Sequence, residues 1–187
     1  MKINLLFPLV FSLTSVSLLA QANEYHYLNT KTGWFKFESP LVSMRLAGSN
    51  DKSVEEVATN SQAFRALGWY NRDTLEVEEW TMNGEGNYID HLCSDGYIVS
   101  SLYYFNDGDD SIEQFRCRKL LKQSAQISNG NVNILTLKSN GVTNSYDLQN
   151  NRTIGCGDNE YIVGFQYKDD GDDYITKIYC KNYSYVQ

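Results

Sequence analysis

The sequence has few of the residues that a nucleic-acid surface or a metal centre requires. Its 187 residues include 16 basic and 23 acidic side chains, which give a net charge of −7. This acidity argues against a nucleic-acid partner, because phosphates require a basic surface. Two distant histidines and four cysteines without a Cys-x-x-Cys spacing argue against a metal site. Proline is also rare, whereas 14 tyrosines and 13 glycines favour β-structure.

Long apolar runs are absent except for one at the N-terminus, from Leu5 to Leu19. Lys2 before this run and the small-residue site Ala20-Gln-Ala22 after it are typical of a cleaved signal peptide over residues 1–22. The run is interrupted by serine and threonine and is shorter than the roughly 20 apolar residues of a membrane span. We therefore predict a secreted protein, periplasmic if the source is bacterial, with no transmembrane segment.

Removing this leader takes away one basic and no acidic residue, so the mature chain has a net charge of −8. Residues 23–187 are enough for one domain with its own core. We predict a single domain. Four cysteines in an exported chain indicate two disulfides.

One stretch of the mature chain occurs twice, at 93–117 and at 156–180. Both copies separate their cysteines by 24 positions, contain Tyr-Ile-Val early and Asp-Gly-Asp-Asp in the middle, and end with an apolar residue two positions before the second cysteine. This similarity indicates an internal repeat. The alignment places Tyr97 opposite Tyr161 at an offset of 64, but Asp107 opposite Asp170 at 63.

Four cysteines allow three pairings, and the repeat favours the two local ones, Cys93 with Cys117 and Cys156 with Cys180. Two strand spacings, about 9.5 Å, would separate Cys93 from Cys117 if both lay in strands flanking 97–105. That distance exceeds the roughly 7 Å limit of a disulfide. Local pairing therefore requires Cys93 to lie in a loop, which the turn residues 94–96 permit.

Alternation with period two predicts a β-hairpin in each repeat. We predict that one face of each first strand is buried: Tyr97, Val99, Ser101 and Tyr103 in one copy, and Tyr161, Val163, Phe165 and Tyr167 in the other. The segments 107–110 and 170–173 have turn composition and connect the two strands. Each repeat is therefore predicted to be a hairpin with an acidic tip.

A third, degenerate repeat is predicted near 40–59. Leu41-Val-Ser and Ser53-Val-Glu-Glu-Val57 resemble Ile98-Val-Ser and the segment 111–115, at offsets of 57 and 58. The alternative is an amphipathic helix over 54–67, where apolar residues approximate helical spacing. Between the two clear copies we predict a polar connector over 119–131, with a turn at Asn129-Gly130, followed by a strand over 132–138.

These motifs resemble the repeat of the vitelline membrane outer layer protein I family. The matching residues are Asp95, Gly96, Tyr97, Gly108, Asp109, Asp110 and Cys117 in one copy, and Gly171, Asp172, Asp173 and Cys180 in the other. The resemblance implies a β-prism, with three sheets around a pseudo-threefold axis, and an association with extracellular coats and chitooligosaccharide-type glycans. The same repeats are more weakly similar to dermatopontin. The predicted fold is therefore an all-β, β-prism-like single domain.

The acidic tips allow three interpretations. Their aspartates can shape turns through local hydrogen bonds, they can bind a cation such as calcium, or they can bind sugar hydroxyls beside a stacked aromatic ring. EF-hand spacing is absent. The predicted ligand-binding residues are Asp107, Asp109, Asp110, Asp170, Asp172, Asp173, Tyr104 and Trp80. We predict no cofactor other than calcium at these turns.

Catalytic constellations are not evident. Asp90 and His91 are adjacent, so in a strand their side chains point to opposite faces. No spacing singles out a carboxylate pair for glycoside hydrolysis. We interpret Trp34, Trp69 and Trp80 mainly as packing residues, and the glycosylation triplets at Asn151 and Asn182 as expected by chance in an asparagine-rich chain.

Two functions fit these observations. The first is a secreted, non-catalytic protein that binds glycans or extracellular matrix or coat material. The alternative is an exported protein-binding factor, such as an inhibitor, a toxin component or a coat subunit, which uses the repeats only as a scaffold. The fold by itself does not distinguish them.

Overall fold

The computed structural model describes residues 23–28, 31–48, 53–60, 77–82, 86–106, 111–119, 121–128, 131–168 and 174–185. Within these ranges the chain forms thirteen strands and no helix, which confirms the all-β prediction for this part of the protein. The strands are β1 Asn23–Tyr27, β2 Gly33–Lys36, β3 Leu41–Leu46, β4 Val54–Asn60, β5 Val77–Thr81, β6 Tyr88–Leu92, β7 Tyr97–Phe105, β8 Ser111–Lys119, β9 Leu121–Ser128, β10 Asn131–Asp147, β11 Thr153–Gly155, β12 Glu160–Lys168 and β13 Tyr174–Tyr185.

The strands form three antiparallel sheets, each built on one hairpin. Sheet 1 has the order β1-β4-β3-β11, sheet 2 has β2-β7-β8-β5, and sheet 3 has β6-β12-β13-β10-β9. The hairpins are β3–β4, β7–β8 and β12–β13. The first of them contains the predicted degenerate repeat, and because Val54–Asn60 is a strand, the helical alternative is wrong for these residues. Residues 61–76 lie outside the described part of the chain.

Strands are exchanged between the sheets in a cycle. The strand that precedes each hairpin leaves it and pairs with the first strand of another hairpin: β2 with β7, β6 with β12, and β11 with β3. A further strand pairs with the second strand of its own hairpin, as β1–β4, β5–β8 and β10–β13. Each sheet therefore contains strands from two repeats.

All three hairpins contain the same β-bulge in their first strand. The extra residues are Val42, Ser100 and Val163, which the pairing register skips. Their carbonyl oxygens accept hydrogen bonds across the strand exchange from the backbone N–H groups of Cys156, Phe37 and Cys93, at 2.8, 3.0 and 2.7 Å. The repeats are thus related by constant offsets of 58 and 63 residues, so the predicted slips to 57 and 64 are wrong.

This bulge also changes which side chains are buried. Because side chains alternate along a strand, one extra residue reverses the faces beyond it. The core contains Tyr97 and Val99 before the bulge but Leu102 and Tyr104 after it, and Ile162, Phe165 and Tyr167 in the third repeat. The predicted single buried face is therefore wrong beyond Val99, and Tyr103 lies on the outer side.

The inner faces of the three sheets share one cluster of buried side chains. Met44, Leu102 and Phe165 occupy equivalent positions in it and are fully buried. Phe115 and Phe165 meet edge to face across two sheets, with ring centroids 5.1 Å apart. Burying such a side chain stabilises the fold by about 1.5–3 kcal/mol.

Two local disulfides are present, Cys93–Cys117 and Cys156–Cys180, with Cα–Cα distances of 5.8 and 5.7 Å. Cys93 lies just after β6 in a turn where Gly96 has a φ of 86°, so the chain folds back as local pairing requires. In the first repeat Phe37 and Thr59 occupy the equivalent positions. There His26 contacts the Phe37 ring edge to face and lies 3.1 Å from the Thr59 hydroxyl.

The segment between the two clear repeats differs from its prediction. Residues 121–128 form strand β9, which pairs with β10, whereas a polar connector was expected. The predicted strand 132–138 is part of the longer β10. The predicted turn at 129–130 and the predicted leader 1–22 lie outside the described residues. The described part of the chain contains no helix long and apolar enough to cross a membrane.

Candidate functional site

The acidic tips, which carry most of the predicted ligand-binding residues, cannot be placed. Asp107, Asp109, Asp110, Asp170, Asp172 and Asp173 all lie outside the described residues. Their flanking residues pair across each hairpin, Phe105 with Ser111 and Lys168 with Tyr174. Among the described residues no three His, Cys, Asp or Glu side chains form a group that could hold a metal ion. Calcium binding at the tips stays a prediction.

Tyr104 is not a surface residue, which corrects its assignment as a ligand contact. Its side chain is fully buried in the core and meets the Phe35 ring edge to face, with centroids 6.4 Å apart. The physical reason is the bulge at Ser100, which turns Tyr104 inward.

Trp80 is partly accessible, on the edge strand β5 of sheet 2. Its side chain is 36% exposed and stacks on Phe115 with a centroid distance of 6.5 Å. It also contacts the edge of His91 on sheet 3 at 6.1 Å. Trp80 therefore covers the boundary between two sheets, while part of its ring stays open to solvent. Trp69 lies outside the described residues.

Asp90 and His91 point to opposite faces of β6. His91 is buried against Trp80, whereas Asp90 lies on the outer face of sheet 3. The two side chains therefore do not form a base and its orienting carboxylate.

The outer faces of sheets 1 and 2 are occupied by their own ionic contacts. On sheet 1, Arg45 forms ion pairs with Glu55 and Glu56 at 3.1 and 3.5 Å. On sheet 2, the Arg116 guanidinium lies 4.0 Å from the centre of the Trp34 ring and its Nε lies 2.6 Å from Glu79. A ligand on either face would have to displace these contacts.

Sheet 3 carries an open recess of about 530 Å³ on its outer face. We call it the Gln166 recess, and its lining residues are Tyr88, Asp147, Leu148, Gln166, Tyr174, Thr176 and Lys177. They come from four adjacent segments: β6, the end of β10, β12 and β13. Thr176 is the extra residue of a bulge in β13, and its carbonyl oxygen accepts a 2.8 Å hydrogen bond from the Leu148 N–H group. The strand exchange thus brings two repeats together at this recess.

Hydrogen bonds order the polar floor of the recess. Gln166 Nε2 donates to Asp90 Oδ1 at 2.9 Å, and the Thr176 hydroxyl donates to Gln166 Oε1 at 2.9 Å. The Tyr179 hydroxyl donates to the same Asp90 oxygen at 2.6 Å. Burial, reinforced by this hydrogen bond to Asp90, raises the pKa of Tyr179 to about 12, so Tyr179 remains a donor at neutral pH.

An aromatic ring and an ion pair border this floor. The Tyr88 side chain is 59% exposed, with Lys168 Nζ 5.2 Å from its ring centre. Lys177 Nζ lies 3.5 Å from Asp147 Oδ1. The seven lining residues include one carboxylate and no histidine or cysteine. This composition suits the binding of a polar ligand against an aromatic ring, whereas glycoside hydrolysis requires two carboxyl groups.

A second, smaller cleft of about 180 Å³ lies between sheet 1 and the turn after β11. Its buried carboxylate, Glu160, accepts hydrogen bonds from Asn144 Nδ2, from the Tyr146 hydroxyl at 3.0 Å and from the Gly157 N–H group at 2.9 Å. These donors hold the turn onto β10. The cleft is therefore organised mainly by a structural contact.

Sequence reasoning missed the Gln166 recess. Its residues Gln166, Tyr174 and Lys177 flank the second acidic tip, which was the available signal. Recognising them also required the bulge and the partner strand β6, and neither is encoded in a local motif.

No family model matches the chain, and no curated protein and no solved structure is significantly similar to it.

Proposed function

We propose that the protein is a secreted, non-catalytic glycan-binding protein of β-prism architecture, with the Gln166 recess as its binding surface. The three antiparallel sheets, the cyclic strand exchange and the shared core support the β-prism. The two disulfides are compatible with an oxidising, extracellular location.

The observation that carries the proposal is the composition of the recess. An exposed tyrosine ring stands beside an ordered amide, a hydroxyl and an ion pair. Sugars present an apolar ring face together with hydroxyl groups, and sites that bind them combine aromatic surface with a few placed polar groups. The outer faces of the other two sheets carry ionic contacts of their own.

Binding of the mature chain, residues 23–187, to a glycan panel tests this proposal. Tyr88→Ala should weaken the binding by about tenfold, which corresponds to ~1.4 kcal/mol, because it removes the stacking surface. Tyr25→Ala is the matched control, since Tyr25 is similarly exposed at 53% but lies on the edge strand of sheet 1. Equal losses in both variants would contradict the assignment of the site.

A panel without any bound glycan would reject the proposed function. Protein capture by the same chain, abolished by substitutions in the recess, would then favour the protein-binding alternative.

A further inference from the structure

We infer that Asp90 is a positioning residue that fixes the Gln166 amide, so that the recess selects neutral sugars with two adjacent free hydroxyl groups. This inference rests on the proposed function and adds to it the class of sugar and the residue that determines the selection. Asp90 is the cross-strand partner of Gln166 but does not line the recess. It therefore acts through Gln166.

The chemistry of the two neighbours determines the orientation of the amide. An ionised carboxylate only accepts hydrogen bonds, so Asp90 must face the amide nitrogen, at the observed 2.9 Å. The Thr176 hydroxyl donates to the amide oxygen at the other end, also at 2.9 Å. Rotating the amide by half a turn would place the amide oxygen against the carboxylate. Such an arrangement of two acceptors is repulsive, so Gln166 has one stable orientation.

Asp90 is itself held in place. Its Oδ1 atom accepts the hydrogen bond of Tyr179 at 2.6 Å in addition to that of Gln166. Both hydrogen bonds end on one oxygen atom, so an acceptor at that position is needed and a negative charge is not.

No equivalent arrangement exists among the described residues of the other sheets. Tyr103 and Arg45 occupy the positions equivalent to Gln166, and their partners on the exchanged strands are Trp34 and Thr153. The amide–carboxylate pair is therefore particular to sheet 3. The repeats share their core pattern but differ in their outer side chains.

The oriented amide presents a defined pattern to a ligand. A side-chain amide has two N–H donors and two oxygen lone pairs. The contacts to Asp90 and Thr176 use one of each, so one donor and one acceptor remain side by side. Two adjacent hydroxyl groups of a sugar match this pattern, one accepting and the other donating. The Lys177 ammonium is already paired with Asp147, which favours a neutral sugar over a charged one.

Titrations with defined methyl glycosides test the inference. The probes are the methyl glycosides of glucose, mannose and galactose, each with and without a 3-O-methyl group that blocks one hydroxyl. We expect the parent chain to prefer at least one free glycoside over its ether by about tenfold, as one hydrogen bond of ~1.4 kcal/mol implies. Asp90→Ala should reduce this preference to about twofold or less, because the amide can then rotate.

Two further variants separate positioning from stability. Asp90→Asn keeps an oxygen acceptor and should retain the preference, whereas Tyr88→Ala should weaken both members of a pair by the same factor and leave their ratio unchanged. Asp90→Ser, which is too short to reach Gln166, replaces the alanine variant if the latter does not fold. A merely structural role of Asp90 would not alter the ratio.

The outcomes distinguish the two proposals. A parental ratio in folded Asp90→Ala or Asp90→Ser, with glycoside binding intact, overturns the role of Asp90 alone. The absence of glycoside and glycan binding by the parent chain overturns the proposed function and this inference together.

Discussion

Gly164 in β12 has no room for a side chain, and we expect Gly164→Ala to destabilise the protein strongly. A Cβ atom at this position would lie 2.1 Å from the His91 carbonyl oxygen and 2.9 Å from Leu92 Cα. Both atoms belong to the backbone of β6, the strand that the second repeat contributes to sheet 3. Real Cβ atoms essentially never approach a neighbour closer than 3.0 Å, so the two strands must separate.

The size of the effect follows from this separation. The backbones must move apart by roughly 1 Å, and overpacking of this kind costs about 1–3 kcal/mol. Stretching the hydrogen bonds between β6 and β12 adds about 1 kcal/mol for each bond that is lost. We therefore expect the free energy of unfolding to fall by about 3 kcal/mol. For a chain of this size, this corresponds to a decrease in Tm of about 6–12 °C.

Denaturant and thermal unfolding of the mature chain, followed by circular dichroism, measure this effect. Gly155→Ala is the matched control, because Gly155 lies on β11, the exchanged strand of sheet 1. A Cβ atom there would meet Ser43 Cβ and the Val42 carbonyl oxygen at 3.4 Å, which is ordinary contact. We expect this variant to stay within about 1 kcal/mol of the parent. If both variants unfold alike, the close approach of β6 to β12 is refuted.

Three other predictions concern the disulfides, a tyrosine and the acidic tips. Replacing Cys156 and Cys180 together by serine should lower the free energy of unfolding by about 3 kcal/mol, and a non-reducing peptide map that links the two disulfide pairs to each other would contradict the repeat as a unit. Tyr179 has its folded pKa raised to about 12 from 10, so its contribution to stability should be complete below pH 10 and disappear as the pH rises from 10 to 12; tyrosinate absorbance should also show a lower pKa in Asp90→Asn, because the charged acceptor is lost. If the tips only shape turns, as we expect, Asn makes the same local hydrogen bonds, and the melting temperature with and without calcium should not change in a variant with Asp→Asn at four positions, Asp109, Asp110, Asp172 and Asp173; loss of calcium-dependent stabilisation or of glycan binding would assign the tips to the site.

The sequence by itself determined the local features of the molecule. Alternating side chains and turn residues specify hairpins over short distances, and the repeated 24-residue spacing of the cysteines favoured the two pairs that the structure contains. The strand at Val54–Asn60 was also predictable, because it follows the repeat pattern of the later copies. All of these features depend on residues close in sequence or on the comparison of one copy with another.

Only the tertiary structure decided which side chains face outward and which strands share a sheet. The bulge at Val163 is held by a hydrogen bond from Cys93, 70 residues earlier in the chain, and no local pattern indicates it. Because side chains alternate with a period of two, this one extra residue places Gln166 outside and Tyr167 inside. The exchanged strand β6 then brings Asp90 beside Gln166. The recess therefore depends on long-range backbone pairing, which short motifs do not encode.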